Sequence, residues 1–195
     1  MMPIEYEATF TNINKDEIRN KLKKIGAQLA KPESLFTRYV FNLPGGQENK
    51  DAWLRVRNEG DKITLSLKIV DGNKIKDQKE ICLTVDNIDS AVNFLKTIGC
   101  QQKSYQETKR EIWYYKDVEI CIDEWPYLEP FVEVESDSEG KVKRVSELLG
   151  FDYNEALFCS ATTLYKNKYN LPAEYIDQKI PRITFTEENP FLKLN

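Results

Sequence analysis

Charged and apolar residues alternate along most segments of this 195-residue chain that have the composition of β-strands. Side chains two positions apart in a strand lie on the same face, so each of these segments has one charged face and one apolar face. In the segment 63–69, for example, Thr64, Ser66 and Lys68 alternate with aliphatic residues. A chain with this pattern is expected to form an antiparallel sheet that buries its apolar face against other elements.

The hydrophobic periodicity predicts a mixed chain in which strands dominate. The predicted strands span residues 3–11, 36–43, 52–58, 62–70, 79–85, 105–116, 118–124 and 129–136. The predicted helices span residues 15–25, 87–98, 138–149 and 153–168. We expect one domain over residues 1–170, followed by a proline-containing extension over residues 171–195 that wraps this domain, with a short edge strand at 183–185.

A short sequence recurs within the chain. Residues 22–26, Leu-Lys-Lys-Ile-Gly, return as residues 95–99, Leu-Lys-Thr-Ile-Gly, and the same spacing relates Glu7 to Glu80. The repeat suggests two strand-helix-strand halves that supply equivalent strands to one sheet. Closing that sheet into a barrel would also remove its exposed edges.

The absence of histidine excludes several kinds of chemistry. Ser-His-Asp and Cys-His catalysis are impossible, and the commonest transition-metal ligand is missing. Carboxylate, Lys, Arg and Tyr side chains remain, together with oxygen-liganded cations such as Mg²⁺ or Mn²⁺. The four cysteines have no Cys-x-x-Cys spacing, so neither a disulfide framework nor a cysteine zinc site is expected.

The net charge and the lengths of the hydrophobic runs indicate the partners and the cellular location of the protein. The formal net charge is −4, whereas nucleic acids and anionic membranes select strongly basic surfaces, so neither is expected as a partner. The sequence has no apolar run long enough to cross a membrane and no recognisable signal peptide. We therefore expect a cytoplasmic protein.

The charged strand faces have two interpretations. In the first they meet water, as in an ordinary antiparallel sheet. In the second they line a polar interior, because acidic and basic residues are segregated by strand instead of being mixed. Paired carboxylates on one strand can converge on a hard cation, and paired guanidiniums can bind phosphate oxygens. The segregated pairs are Glu5 with Glu7, Arg55 with Arg57, and Glu133 with Glu135.

The order of the charged residues resembles the CYTH superfamily, the triphosphate tunnel metalloenzymes. The residues that carry the likeness are, in chain order, Glu5, Glu7, Arg55, Arg57, Lys68, Glu80, Arg110, Asp123, Glu133 and Glu135. The likeness covers residues 3–169 and is greatest to the class IV adenylyl cyclase-like branch. It implies an α+β fold, an eight-stranded antiparallel closed β-barrel with helices packed on the outside, whose tunnel binds a triphosphate group with Mg²⁺ or Mn²⁺.

The resemblance also implies a role for each matching residue. The implied metal ligands are Glu5, Glu7, Asp123, Glu133 and Glu135. The implied triphosphate-binding residues are Arg38, Arg55, Arg57, Lys68 and Arg110. The implied catalytic residues are Glu5, Glu7 and Lys68. Glu80 either shares the metal or is a structural partner of a neighbouring arginine.

One residue departs from the pattern of the family. The first-strand motif is Glu-x-Glu-x-Lys, and here Thr9 occupies the position of the lysine. A lysine there would add a positive charge beside the two acids and, in hydrolytic relatives, is a candidate for orienting the attacking water. Its loss weakens the prediction of hydrolysis more than the prediction of triphosphate binding, which depends on several other bases.

Three functions therefore stay open from the sequence. The first is a metal-dependent enzyme that cyclises ATP or hydrolyses a triphosphate, with a small-molecule triphosphate such as ATP as its partner. The second is a catalytically weak or inactive module that binds triphosphate or nucleotide, because Thr9 replaces the lysine. The third is a barrel that carries an apolar ligand, which would require the apolar strand faces to point inward. Both a monomer and a homodimer are compatible with the sequence.

Overall fold

The computed structural model describes residues 2–47 and 51–192 of the chain. The strands are β1 (Tyr6–Phe10), β2 (Gln28–Phe41), β3 (Ala52–Asn58), β4 (Ile63–Val70), β5 (Gln78–Val85), β6 (Gln102–Tyr115), β7 (Val118–Glu124), β8 (Phe131–Ser136) and β9 (Arg182–Ile183). The helices are α1 (Lys15–Ile25), α2 (Ile88–Thr97), α3 (Glu139–Leu148), α4 (Ala161–Tyr169) and α5 (Ala173–Lys179). Within the described residues, no helix is both long enough and apolar enough to span a bilayer.

Eight strands form one antiparallel sheet in the order β1-β8-β7-β6-β2-β3-β4-β5. The sheet curls until its two edges meet, where Ile4 forms an isolated antiparallel bridge with Lys79. The backbone N–H of Glu5 donates to the carbonyl of Gln78 at 3.0 Å, and that of Glu80 donates to the carbonyl of Pro3 at 3.3 Å. The predicted eight-stranded antiparallel barrel is therefore confirmed, with a short bridge as its closure.

The two halves of the chain repeat one order of elements. Strand, helix and three consecutive strands occur first as β1-α1-β2-β3-β4 and again as β5-α2-β6-β7-β8. The equivalent long strands β2 and β6 pair with each other in the middle of the sheet, while β1 and β5 occupy its two ends. This arrangement is the one that the internal repeat predicted.

Helices α1, α2 and α3 cover the outside of the barrel because each carries one apolar stripe. Helix α1 begins at Asn14, whose side chain accepts from the N–H groups of Asp16 and Glu17, and ends at Gly26 in the left-handed conformation. Its buried Ile18 and Leu22 lie in a core cluster that also contains residues of β1, β7, β8 and α3. Helix α2 packs in the same way against β2 and β3.

The segment after α3 differs from its prediction. A helix was predicted over 153–168, but α4 begins only at Ala161 and is preceded by a short 3₁₀ turn over Tyr153–Glu155. Between them, Thr9 and Leu157 exchange two backbone hydrogen bonds of 2.9 and 3.0 Å. This pairing with β1 holds the intervening backbone in extended geometry, so it cannot join the helix.

The extension over residues 171–195 packs onto the barrel, although residues 193–195 lie outside the described residues. It forms α5, then β9, which pairs in parallel with Tyr105 and Gln106 of β6, and then a 3₁₀ turn over Pro190–Leu192. The observed strand β9 thus begins one residue before the edge strand that was predicted at 183–185. Phe191 anchors the end of the extension by stacking on Tyr165 and Tyr169, with ring centroids 4.3 and 4.8 Å apart.

Candidate functional site in the barrel interior

A cavity of about 300 Å³ lies inside the barrel and is lined mainly by charged and other polar side chains. The charged faces of the strands point into it, and Glu5, Glu7, Arg38 and Arg55 are each at most 8% exposed. The interpretation in which these faces meet water is therefore wrong. The interpretation in which apolar faces line the barrel is also wrong, because the aliphatic residues of β1, β7 and β8 pack against α1 and α3 instead.

Three carboxylates converge on one side of the cavity and form what we call the acidic wall: Glu5, Glu7 and Glu135. Glu7 of β1 lies directly opposite Glu135 of β8 in the sheet register, and Glu5 precedes Glu7 by two positions on the same face. One oxygen from each of the three carboxylates lies within 4.8 Å of the other two. The closing bridge holds this segment in place through the backbone of Glu5.

One cation from the protein faces the acidic wall. The Lys68 Nζ lies 2.8 Å from Glu5 and 3.5 Å from Glu80, and burial alone would lower its pKa, but these carboxylates and Glu7 hold it above its ordinary value. Burial raises the pKa of Glu5 to about 8 against the pull of Lys68, and it also raises the pKa of Glu7 and Glu135. Burial therefore disfavours the charged forms of these carboxylates more than Lys68 favours them.

The acidic wall has the donor set that a hard divalent cation requires. Mg²⁺ and Mn²⁺ bind carboxylate oxygens at a little over ~2 Å, so ligands of one ion lie within about 4–5 Å of one another. The three oxygens meet this distance. A bound cation would also lower the pKa of these groups, which burial and, to a smaller extent, their mutual repulsion raise. Glu5, Glu7 and Glu135 thus fit a divalent cation.

Four arginines lie across the cavity and form what we call the basic wall: Arg38, Arg55, Arg57 and Arg110. Arg55 donates to Glu80 at 3.0 Å, so Glu80 is an ion-pair partner of both Arg55 and Lys68. Arg57 donates to Glu59 at 2.6 Å and 2.9 Å through two nitrogens. These two arginines are positioned by carboxylates that also offset part of their charge.

Arg110 is the most completely paired residue of the basic wall. Its guanidinium donates to both oxygens of Asp123, at 2.8 and 2.6 Å, and also to Glu133. Asp123 is fully buried, and burial raises its pKa to about 6 although Arg110 opposes this. Asp123 and Glu133 therefore bond Arg110 and do not join the cluster around Glu5, so their roles as metal ligands stay predictions.

Arg38 differs from the other arginines of this wall. It donates to the Thr108 hydroxyl at 2.5 Å, and its guanidinium lies 4.4 Å from the ring centre of Trp125. No carboxylate in the described part of the chain lies within ion-pair distance of it, and its Nε has no hydrogen-bond partner there. Burial and the neighbouring Arg55 and Arg57 hold its pKa well below the ordinary value. An anion placed here would gain a charged hydrogen bond.

Most of the predicted site residues do line this one cavity. Those that do are Glu5, Glu7, Arg38, Arg55, Arg57, Lys68, Glu80, Arg110, Glu133 and Glu135. Asp123 lies behind Arg110, and Thr9 lies beside Glu133, which it faces across the β1–β8 register. Thr9 is buried and supplies no charge, so β1 contributes no positively charged side chain to the acidic wall.

Several residues that shape the cavity were not predicted from the sequence. Glu59, which bonds Arg57, was not among the predicted site residues, although the alternation of residues 53, 55 and 57 continues to it and was a usable signal. Trp125 was not among them either, yet it lies under Arg38. Ile176 and Asp177 line the cavity from α5, which the sequence did not predict as a helix.

Comparison with known proteins agrees with this geometry. The CYTH domain family matches residues 2–166, which is most of the chain. The chain belongs to the CYTH family. The resemblance to the CYTH superfamily seen in the order of charged residues is thereby confirmed, and similar proteins include some named putative adenylate cyclases.

Individual relatives of this CYTH protein support the assignment. It is 25% identical over 170 residues to a protein of Methanocaldococcus jannaschii named a putative adenylate cyclase, covering 85% of this chain and 96% of the relative. It shares its fold with a putative adenylate cyclase from Vibrio parahaemolyticus, with a TM-score of 0.72, 14% identity, and coverage of 84% and 98%. A Hippeastrum protein described as a putative adenylyl cyclase with a dominant triphosphatase activity has a TM-score of 0.55 and 14% identity, with coverage of 87% and 99%.

Proposed function

We propose that this protein is a metal-dependent enzyme that binds the triphosphate group of a small molecule, such as ATP, and either cyclises it or hydrolyses its terminal phosphate. The observation that carries the proposal is the separation of charge inside the barrel. The acidic wall fits a divalent cation, and the basic wall presents guanidiniums to the same cavity. A triphosphate is the kind of ligand that binds a cation and several arginines at once.

Each wall has a separate task in this proposal. Glu5, Glu7 and Glu135 hold Mg²⁺ or Mn²⁺, which when bound would neutralise charge on the phosphate oxygens. Arg38 and Arg55 bind the phosphate oxygens from the opposite side. Their charges are fixed in a cavity from which bulk water is largely excluded, so they stabilise charge that shifts during phosphoryl transfer without having to reorganise.

Lys68 is proposed to act between the two walls. Its ammonium group already contacts Glu5 and Glu80, and its raised pKa keeps it charged at neutral pH. A charged lysine cannot act as a general base, so we assign it to orienting the phosphate chain and not to abstracting a proton. The protein's contribution to the rate is therefore positioning and electrostatic stabilisation.

Thr9 favours cyclisation over hydrolysis within this proposal. In cyclisation the nucleophile is the 3′-hydroxyl of the substrate itself, so the protein need not orient a water molecule. Hydrolysis requires such a water, and β1 offers only the Thr9 hydroxyl where the family motif has an amine. The two reactions give different products from ATP and can be resolved directly.

The direct test is an assay of the purified protein with ATP or inorganic triphosphate and with Mg²⁺ or Mn²⁺. Cyclic AMP with pyrophosphate indicates the cyclase, and released phosphate indicates the hydrolase. We expect either product to disappear in Glu7→Gln and to persist in Glu124→Gln, because Glu124 pairs with Lys15 and Lys109 and does not line the cavity. Absence of both products in the wild type and in Thr9→Lys would contradict an enzymatic role.

The second candidate is a module that binds triphosphate without turnover, and Thr9 is the observation that favours it. This candidate predicts calorimetric binding of triphosphate that depends on the metal and is lost in the Arg55→Ala, Arg57→Ala double variant, with no product in any assay. Thr9→Lys distinguishes the two candidates further, because a gain of phosphate release in that variant would show that the remaining machinery is competent.

A further inference from the structure

The outer faces of the two halves of the barrel are covered to different extents. The spacing of the internal repeat relates Ala8 of β1 to Ile81 of β5, and Phe10 to Leu83. Ala8 and Phe10 are 0% and 5% exposed, whereas Ile81 and Leu83 are 42% and 55% exposed. Equivalent apolar positions are therefore buried in the first half of the chain and open in the second.

Helix α3 accounts for this difference. It packs on β1 and β8, and its Val142 and Val145 lie in the same core cluster as Ala8 and Phe10. In the second half, the chain after β4 forms only a short connection to β5 with a 3₁₀ turn at Ile75–Asp77. Within the described residues, no helix after β4 takes the place that α3 has after β8, so the outer face of β5 stays open.

The flank of α2 that borders this open face is apolar as well. Phe94 of α2 is the equivalent of Lys21 of α1 in the internal repeat. Lys21 lies over the ring of Phe151, which follows α3, so this flank of α1 turns toward α3. By the same geometry Phe94, with Ile98 one turn later, borders the face that a counterpart of α3 would cover. Both side chains are exposed.

The edge of β5 beside this face has no strand partner beyond Glu80. The N–H of Glu80 donates to the carbonyl of Pro3, which has no N–H with which to return a bond. Alternate residues of a strand direct their backbone groups to the same edge, so those of Cys82 and Thr84 also point away from β4. No strand in the described part of the chain pairs with them.

This edge lacks the features that usually keep strands of different molecules from pairing. Edge strands in natural proteins carry charged residues, proline or a β-bulge. The segment 81–85, Ile-Cys-Leu-Thr-Val, has no charge and no proline, and its pairing with β4 is regular. An exposed apolar edge of this kind can accept a further strand through its backbone.

The charges at the two ends of β5 favour a second copy of the same strand as the partner. Lysines lie before or at the start of the strand and aspartates follow it: Lys74, Lys76, Lys79, Asp86 and Asp89. Asp71 and Asp77 offset only part of the basic charge. Two copies related by a two-fold axis pair antiparallel, so the basic end of each strand lies beside the acidic end of the other.

We propose that the protein forms a two-fold symmetric homodimer in which the β5 strands of two copies pair antiparallel and join the sheets of both barrels. The register that places Cys82 opposite Thr84 of the second copy uses the free groups of both residues, because each such pair exchanges both backbone hydrogen bonds. It places Leu83 opposite Leu83 of the second copy, with Ile81 and the flank of α2 beside it. This surface lies outside the cavity, so the inference goes beyond the proposed function and does not depend on it.

Sedimentation velocity of the purified protein tests the dimer. We expect the wild type to show a dimer whose fraction rises with concentration. Leu83→Arg places like charges opposite each other, so it should raise the dissociation constant of the dimer at least about 100-fold. The matched control is Leu148→Arg, because Leu148 is a similarly exposed leucine on α3, and this variant should leave the dimer unchanged.

Two further variants test the register of the strands. Thr84→Pro removes an N–H that points to the free edge and leaves the bonds to β4 in place, so it should also give a monomer. In a Cys82→Ser background, Leu83→Cys should form an intermolecular disulfide on mild oxidation. Directly opposite residues of a non-hydrogen-bonded pair have Cα atoms about 4.5 Å apart, within the range of a disulfide. Lys24→Cys on the exposed side of α1, in the same background, should not crosslink.

The outcomes decide between this surface and its alternatives. A wild type that stays monomeric at about 100 μM overturns the proposal and leaves the open face to a partner of another kind. A dimer that survives both Leu83→Arg and Thr84→Pro, or that Leu148→Arg disrupts equally, also overturns it. Circular dichroism checks the folding of each variant, and the disulfide test decides the question if Leu83→Arg does not fold. Loss of the dimer in both β5 variants and its retention in Leu148→Arg support the proposal.

Discussion

The acidic and basic walls of the cavity differ in how far the protein compensates their charge. Three of the four arginines in the basic wall bond carboxylates, and Arg110 alone contacts both Asp123 and Glu133. The acidic wall has three carboxylates, and among the described residues the ammonium group of Lys68 is the one cation that forms an ion pair with them. The protein's own carboxylates thus compensate most of the charge of the basic wall, whereas the acidic wall has a single cationic partner among the described residues.

The directions of the carboxylate pKa shifts show the same contrast. Burial alone would raise the pKa of Glu80 and of Glu133. Lys68 and Arg55 instead hold the pKa of Glu80 below its ordinary value, and Arg110 does the same for Glu133. In the acidic wall burial dominates, and the pKa of Glu5 and Glu7 is raised. Burial therefore has opposite results in the two groups of carboxylates, and the nearby cations decide whether the pKa is raised or lowered.

The largest expected effect comes from removing the most paired arginine. Arg110→Met leaves the fully buried Asp123 without its bidentate partner, so we expect the free energy of unfolding to fall by roughly 3–5 kcal/mol. The control is Lys109→Met on the same strand, whose exposed pair with Glu124 contributes at most about 1 kcal/mol. Urea unfolding followed by circular dichroism measures both, and similar losses in the two variants would contradict the assigned pairing.

The next effect separates function from stability in the acidic wall. The double variant Glu5→Gln, Glu7→Gln removes two charged ligands, and we expect Mn²⁺ affinity to fall about 100-fold or more. The metal-free protein should not lose stability, because burial already disfavours the charged forms of Glu5 and Glu7 and Lys68 keeps its ion pair with Glu80. Calorimetric Mn²⁺ titration and thermal unfolding test the two statements, with Glu124→Gln as the control. A strong loss of stability in the metal-free double variant would contradict the statement that burial of the charged forms of Glu5 and Glu7 is unfavourable.

Substitution of Arg38 tests whether an arginine that bonds no carboxylate serves to bind the ligand. In Arg38→Met we expect triphosphate affinity to fall roughly 10-fold to 100-fold, the value of a charged hydrogen bond. Stability should change by no more than about 1 kcal/mol, in contrast to Arg110→Met, because no described carboxylate is left unpaired. Calorimetry with inorganic triphosphate and Mg²⁺ gives the first quantity. Unchanged affinity would remove Arg38 from the site.

The pH dependence of metal-free stability is the smallest effect. The folded protein keeps protons on Glu5, with its pKa near 8, at a pH where the unfolded chain has released them. Raising the pH from about 6 to about 7.5 should therefore lower the free energy of unfolding by roughly 1–2 kcal/mol. Denaturation in chelator at several pH values measures this, and Glu5→Gln should flatten the dependence. Stability that rises with pH across this range would contradict the account.

The sequence predicted those strands whose two faces differ clearly in polarity. The predicted limits 52–58 and 118–124 match β3 and β7 as observed, because charged residues alternate with apolar ones over much of both strands. The first half of β2 was missed. Residues 28–35 are mostly exposed and lack alternation, and they are extended because β6 pairs with them across two register shifts near Lys31.

The site was predicted as a set of residues but not as a set of contacts. Alternation identified which side chains share a face, which is why the predicted acids and bases line one cavity. Ion pairs depend on which strands are neighbours, and the pairs Arg55–Glu80 and Arg110–Asp123 join residues that are 25 and 13 positions apart. The short helix α5 carries little periodic signal, so the Asp177 position could not be predicted.

The most direct test of the two-wall account is a crystal structure of the protein with Mn²⁺ and a nonhydrolysable ATP analogue, with manganese located by its anomalous scattering. The account predicts manganese bonded to oxygens of Glu5, Glu7 and Glu135, and phosphate oxygens between that ion and Arg38 and Arg55. Manganese bound elsewhere, or a triphosphate that lies outside the barrel, would contradict it.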